Sequence, residues 1–201
     1  MEPPDGMVPS DPGDGARGGD VIELLTAEHR ELCTAFAHLC AAAFEDGPRD
    51  PGVRPQAERA VAALVRHLST EELLLYPRVR GARPDGVVDR ALVRHRELEG
   101  WMQDLERLTG SDPGFGHLLR LLADGVRRHA AELESDLLPR FARDATEEER
   151  LRIGAQVPAA RSLAPTRPHP GVPEAPQLKA LMTPWIGVAD RVRDFLSQRG
   201  G

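Results

Sequence analysis

The sequence predicts an all-α protein, an up-down-up-down four-helix bundle with a C-terminal extension helix. Four long segments carry apolar residues at steps of three and four, which is the spacing of one helical face. The stretches between these segments are short or moderate in length and rich in turn-forming residues, which favours antiparallel neighbours. Strand patterns are absent from the sequence, so we expect the apolar faces of the helices to pack on one another.

Four predicted helices make up the bundle, which covers residues 20–144. Asp20 offers an N-cap to the first helix, and Glu23 follows three residues later as in a capping box. The helices are predicted over residues 20–44, 56–79, 87–108 and 115–143. Pro77 and Pro139 lie near the ends of the second and fourth helices, where a missing N–H can kink the last turn.

The two ends of the chain are predicted to lie outside the bundle. Residues 1–19 contain few large apolar residues, and we expect them to be disordered. Residues 145–201 are predicted to hold a short helix over residues 146–156 with Thr146 as N-cap, an extended Pro-rich segment over residues 158–176, and a last helix over residues 177–198. This last helix has one apolar face, which could dock on the bundle or pair two chains as a homodimer.

Composition and charge limit the classes of function. The formal net charge is −6, which argues against nucleic acid as a partner. Apolar runs are short and no signal peptide is recognisable, so we expect no membrane association and a cytoplasmic location. Cys33 and Cys40 lie on one predicted helix, about 10 Å apart along its axis, which is too far for a disulfide. Neither a Gly-rich phosphate loop nor a nucleophile motif is present, so whether the protein is an enzyme stays open.

Each predicted bundle helix carries one histidine on its apolar face. These histidines are His29, His67, His95 and His129. A buried polar group without a partner costs roughly 1–3 kcal/mol, so four histidines in one core suggest a shared partner, which we take to be a metal ion. Glu71 and Glu99 each follow a histidine by four residues, about 40° around and about 6 Å along a helix, and can reach the same ion. Imidazole together with carboxylate suits iron, manganese or zinc.

The order of these motifs resembles the hemerythrin-like proteins that carry an HHE cation-binding domain, of the actinobacterial type. The resemblance covers about residues 20–143 and rests on four matches: His29, HLSTE (67–71) running into ELLLYP, VRHREL around His95, and RRHAAELESDLLP around His129. It implies two irons inside a four-helix bundle, bound by histidines from all four helices and bridged by carboxylates from the second and fourth. The residues that match this ligand set are His29, His67, Glu71, His95 and His129.

The chain departs from the family pattern at Leu133, four residues after His129, where the second bridging carboxylate is expected. Glu132 is one residue away and could reach the site with some rotation of the helix. Glu134 would need a π-bulge, because a regular helix aims it away from the site. Glu99 could also fill the gap. A pair of irons, a single iron and an empty site are therefore all open at this stage.

Two hypotheses of function follow. In the first, the protein is a non-haem iron protein that binds or senses O2, NO or a peroxide inside the bundle, which leaves a peroxidase- or catalase-like activity open. In the second, it is a degenerate family member with a mononuclear or empty site that acts as a structural or interaction module. For Glu99 and Glu132, ordinary surface ion pairs are an equal alternative to metal ligation. Tyr76 could lie near the site and hydrogen-bond a ligand, but we favour packing beside Pro77.

Overall fold

The computed structural model describes residues 19–45, 52–82 and 85–164, and within these ranges the chain is helical with no strand. Most of the predicted N-terminal tail lies outside the described residues. The last predicted helix, over residues 177–198, and the homodimer expected from its apolar face lie outside them as well. Among the helices in the described ranges, none combines the length and the apolar character that a membrane-spanning helix needs.

Four long helical rods form the bundle that the sequence predicted. The first is α1 (Val21–Glu45), and the third is α4 (Val87–Arg107). The second rod consists of α2 (Val53–Thr70), a π-helical segment π1 (Glu71–Leu75) and α3 (Tyr76–Ala82). The fourth consists of α5 (Phe115–Glu132), a second π-helical segment π2 (Leu133–Leu137) and α6 (Leu138–Asp144). Two short helices follow, α7 (Glu147–Gly154) and α8 (Val157–Leu163).

The predicted caps explain where two of these helices begin. Asp20 Oδ1 accepts a hydrogen bond from the Ile22 N–H at 2.8 Å, at the start of α1. Thr146 has extended backbone dihedrals, and its hydroxyl oxygen accepts from the Glu149 N–H at 3.2 Å, at the start of α7. In both helices a side-chain oxygen therefore satisfies an N–H that lacks an intrahelical partner.

The two π segments occupy equivalent places in the second and fourth rods. Each begins four residues after a histidine and ends two residues before a proline, Pro77 in one rod and Pro139 in the other. A proline inside a helix lacks the N–H that its preceding turn needs, and its ring clashes with a carbonyl of that turn. A wider turn relieves this clash, and such single π turns are frequent at functional sites.

The bundle core consists of two apolar clusters with a polar layer between them. One cluster includes Phe36, Leu64 and Met102, and the other includes Leu25 and Leu137. In each rod the histidine lies between a residue of one cluster and a residue of the other. These flanking pairs are Leu25 and Leu32 in α1, Leu64 and Leu74 in the second rod, Ala91 and Leu98 in α4, and Val126 and Leu133 in the fourth rod. The histidines therefore lie at one level, enclosed by apolar side chains on both sides.

One prediction about the C-terminal part was wrong. The Pro-rich segment was expected to be extended from residue 158, but residues Val157–Leu163 form helix α8. Pro158 lies in the first turn of this helix, where its missing N–H would have had no intrahelical partner. Val157 and Ala160 of α8 are buried, so packing on the bundle stabilises a seven-residue helix that is too short to be stable alone.

Candidate metal centre

Glu71 is the centre of the polar layer, and all four histidines of the layer surround its carboxylate. His29 Nε2 and His67 Nε2 lie 3.3 and 3.1 Å from Glu71 Oε1. His95 Nε2 and His129 Nε2 lie 3.1 and 3.2 Å from Oε2. The carboxylate therefore has one pair of imidazoles at each of its two oxygens. All five side chains are buried, and Glu71 itself is fully buried.

The distances among these atoms suit a shared cation. One ligand atom from each of His29, His67, Glu71 and His129 can be chosen so that all four atoms lie within 4.8 Å of one another. Buried His67 Nε2 and both ring nitrogens of His129 have no hydrogen-bond partner among the described residues. The two Nε2 atoms lie close to Glu71, but without hydrogen-bonding geometry. Buried ring nitrogens without partners are costly unless something else binds them. Imidazole nitrogen and carboxylate oxygen are the donors that iron takes in proteins, so the residues fit a metal.

Three of the four imidazoles also contact a second carboxylate through Nδ1. The pairs are His29 with Glu134 at 2.8 Å, His67 with Glu28 at 2.7 Å and His95 with Glu72 at 2.6 Å. An ionised carboxylate only accepts hydrogen bonds, so Nδ1 carries the proton in each pair and Nε2 faces Glu71. This is the arrangement that orients imidazole ligands around protein-bound metals and raises their basicity.

Tyr76 belongs to the site, and the expectation that it would only pack beside Pro77 was wrong. Its hydroxyl donates to Glu71 Oε2 at 3.0 Å and lies 2.7 Å from His95 Nε2. The π1 segment brings it there, because Tyr76 and Glu71 are five residues apart on one rod. Burial, followed by the nearby charge of Glu71, raises the pKa of the phenol far above its usual range, so Tyr76 stays protonated.

The histidines and Glu71 shift one another's protonation. Burial alone would raise the pKa of Glu71, but the neighbouring imidazoles, His129 foremost, hold it well below its usual range. Burial lowers the pKa of His129 to about 4, more than the attraction of Glu71 raises it. For His95 burial also acts to lower the pKa, but hydrogen bonds to Glu71 and Glu72 raise it overall. An ionised Glu71 beside a neutral His129 is the protonation state that a metal cation requires.

Of the carboxylates considered for the place of the missing bridge, none joins the cluster. Glu132 is about half exposed and pairs with Arg94 at 2.9 Å. Glu99 is half-buried near Glu72, and burial followed by that charge raises its pKa. Glu134 lies in the π2 segment, so the π turn that it was expected to need is present. Its carboxylate nevertheless contacts Nδ1 of His29 from outside the cluster. Leu133 is buried in the apolar cluster that contains Leu137. The structure thus brings together Glu71 and the four histidines and leaves Glu99 and Glu132 outside.

Sequence reasoning missed Glu28 and Glu72 altogether. Each is next to a predicted ligand in sequence, before His29 and after Glu71, and helical neighbours point about 100° apart. Each therefore contacts a histidine of another rod, His67 and His95 respectively. Only the relative positions of the helices reveal these partners, because no spacing within one helix encodes them.

Comparison with known proteins agrees with this geometry. The family model described as hemerythrin HHE cation binding domain matches residues 20–141. A crystal structure of a hemerythrin HHE cation binding domain-containing protein from Mycobacterium kansasii superposes with a TM-score of 0.62 at 20% identity, covering 72% of this chain and 86% of that one.

A protein of Nostoc sp. named DNA nickase is 28% identical over 99 residues, which are 49% of this chain. The chain matches only 28% of that relative's length. The match of the family model over residues 20–141 is more than half of the sequence and includes every residue of the polar cluster. The chain belongs to the hemerythrin HHE cation-binding domain family.

Proposed function

We propose that this protein binds iron within the bundle and uses it to bind or sense O2, NO or a peroxide. The observation that carries the proposal is the convergence of four buried imidazoles on the two oxygens of one buried carboxylate. A purely structural core would have no need for such a layer, because buried polar groups are costly unless they are paired.

The arrangement supports a pair of irons that share Glu71. Glu71 and the four histidines that face it would hold the iron: His29, His67, His95 and His129. Bound iron would supply redox chemistry and an open coordination position for a diatomic molecule or peroxide. The chain's own residues do the rest: Glu28, Glu72 and Glu134 orient three imidazoles, and the apolar clusters on both sides limit contact with bulk water.

A second candidate is a mononuclear site or a metal-free structural module, and Leu133 is the observation in its favour. Its buried side chain stands four residues after His129, as Glu71 stands after His67, and it offers no ligand atom. The cluster then has one carboxylate for two cations. Binding of a single ion would leave one pair of histidines as hydrogen-bonding partners of Glu71 rather than as ligands.

Metal content per chain separates these candidates. Protein produced under iron-replete conditions should contain about two irons per chain. It should also show charge-transfer absorption, which should change when NO is added to the reduced protein or peroxide to the oxidised protein. His67→Ala and His129→Ala should each lose iron, and the matched control His117→Ala should not, because His117 is exposed on α5. One iron per chain would favour the mononuclear site. No iron, together with full iron-independent folding, would overturn the proposal.

A further inference from the structure

Glu28 differs from the other two carboxylates that contact imidazole Nδ1 atoms. The side chains of Glu72 and Glu134 are 41% and 39% exposed, so water solvates their charges. The side chain of Glu28 is only 8% exposed. A carboxylate removed from water needs a cation or several hydrogen bonds to remain ionised in place.

The cation that faces Glu28 comes from α8. The guanidinium of Arg161 pairs with Glu28 Oε1, while Oε2 of the same carboxylate accepts from His67 Nδ1 at 2.7 Å. His67 Nε2 then lies 3.1 Å from Glu71 Oε1. These contacts form one continuous series from Arg161 on α8, through Glu28 on α1 and His67 on the second rod, to Glu71 at the centre of the polar layer. Arg161 lies 20 residues beyond the end of the family match at residue 141.

We propose that Arg161 is a positioning residue of the metal centre, which acts through Glu28 to hold the His67 imidazole with Nε2 toward Glu71. Helix α8 is then a functional part of the site, although it lies outside the family domain. The role as a metal-positioning residue rests on the proposed iron binding, but the contacts themselves are a property of the metal-free chain.

The physical reason lies in the cost of a buried, unpaired charge. A guanidinium is charged at every physiological pH and has a planar fork that matches a carboxylate. Without Arg161, the Glu28 carboxylate would lack its cation and would turn toward water, away from His67. The imidazole would lose the acceptor that orients its ring. Loss of such an outer partner typically weakens metal binding about 10–100-fold.

Iron release to a chelator tests this role in the full-length protein. Arg161→Gln and Glu28→Gln should release iron about 10–100-fold faster than the unsubstituted protein. Arg161→Lys retains a cation and should restore much of the slow release. The double variant Arg161→Gln/Glu28→Gln should release iron no faster than Glu28→Gln alone, because both substitutions interrupt the same chain of contacts.

Arg78→Gln is the matched control. Arg78 pairs between helices with Glu149 at 2.8 Å, and its side chain is 37% exposed against 42% for Arg161. Among the described residues, its carboxylate partner is Glu149, which contacts no histidine. We expect Arg78→Gln to lower the unfolding midpoint slightly and to leave iron release unchanged. Equal acceleration in Arg78→Gln and Arg161→Gln would mean that Arg161 only stabilises the fold, and would overturn the proposal.

A measurement without metal distinguishes failure of this inference from failure of the proposed function. Nitrogen-15 NMR of the apo-protein should show His67 with its proton on Nδ1, and Arg161→Gln should shift the ring toward a mixture of tautomers. If the unsubstituted chain binds no iron, iron binding fails, but this shift still supports the positioning contact. If Arg161→Gln retains the original tautomer and release rate, the inference is wrong. Should Arg161→Gln fail to fold, Glu28→Gln tests the same contact: it should shift the tautomer of His67, whereas Arg161→Lys should not.

Discussion

The Tyr76 hydroxyl donates to Glu71 Oε2 over 3.0 Å, although the two residues are five positions apart on one continuous rod. Positions five apart in a regular α-helix point about 140° away from each other. The π1 segment removes this separation: the Tyr76 N–H bonds to the Glu71 carbonyl, which closes the wider turn. A backbone irregularity next to Pro77 therefore places the phenol beside the buried carboxylate.

Removing this hydroxyl should destabilise the apo-protein. Glu71 is a fully buried carboxylate, and Tyr76→Phe takes one hydrogen bond from it. Hydrogen bonds to charged groups contribute about 1.5–3 kcal/mol, so we expect the free energy of unfolding to fall by that amount. Urea denaturation of the metal-free protein measures it, and an unchanged m-value is the control for an intact two-state transition. An unchanged midpoint would show that the contact does not stabilise the fold.

The single tyrosine of the chain allows its ionisation to be followed directly. Burial and the charge of Glu71 raise the pKa of Tyr76, so absorbance at 295 nm in the folded apo-protein should stay flat up to the pH at which the protein unfolds. In urea the same phenol should titrate near pH 10. Because the folded pKa is the higher one, the unfolded state loses its proton first, and stability should decrease as the pH rises above about 10.

Tyr76→Phe is the control for that titration, since its spectrum should show no phenolate in either state. A rise at 295 nm near pH 10 in the folded protein would mean that Tyr76 is accessible to water and does not bond to Glu71.

The candidate carboxylates should differ in their effect on iron. Glu71→Gln should abolish stoichiometric iron binding, because a neutral amide cannot replace a carboxylate that faces four imidazoles. Glu132→Gln should retain iron, since Glu132 is directed to Arg94 on the surface. Glu99→Gln should also retain it. Iron per chain after gel filtration measures each variant, and iron loss in Glu132→Gln would show that the fourth rod rotates on metal binding.

A close helix contact limits substitution at Gly125. A Cβ atom at this position in α5 would lie 2.5 Å from Trp101 Cζ3 and 2.8 Å from Leu98 Cδ2, both on α4. Overpacking of this kind typically costs 1–3 kcal/mol, so we expect Gly125→Ala to lower the free energy of unfolding by about that amount. Gly100→Ala in α4 is the control: among the described residues, and outside the backbone of α4 itself, no atom lies within 4 Å of its added Cβ. Gly100→Ala should be neutral or stabilising, by up to about 1 kcal/mol. Thermal unfolding that ranks the two variants in the opposite order would contradict the contact.

The two cysteines should react slowly while the protein is folded. Burial raises the pKa of both thiols, and negative charges nearby, Glu134 for Cys33 and Asp124 for Cys40, raise it further. Fewer thiolates at pH 8 mean slower alkylation, because the thiolate is the nucleophile. We expect iodoacetamide to modify the folded chain several-fold more slowly than the chain in urea. Equal rates would show that the environment of the bundle does not protect either thiol.

Periodicity within single helices was sufficient to predict the bundle and the histidine layer. The steps around His29 and His67 identify one apolar face per helix, and a face of that kind must pack on others. The caps at Asp20 and Thr146 were confirmed as well, since a cap depends on local sequence. Helix α8 was missed because it is short and begins within a Pro-rich stretch, and burial of Val157 and Ala160 stabilises it.

Local sequence patterns are enough to predict four amphipathic helices, each with one histidine in its apolar face and with a proline ten residues after two of those histidines. How the layer is completed depends on the packing of the helices against one another. This packing places Tyr76 beside Glu71, gives His67 the carboxylate of Glu28, and directs Glu132 away to Arg94. Spacing along one helix determines which residues share a face, whereas contacts between helices depend on their relative rotation and register, which the packing of the whole core determines.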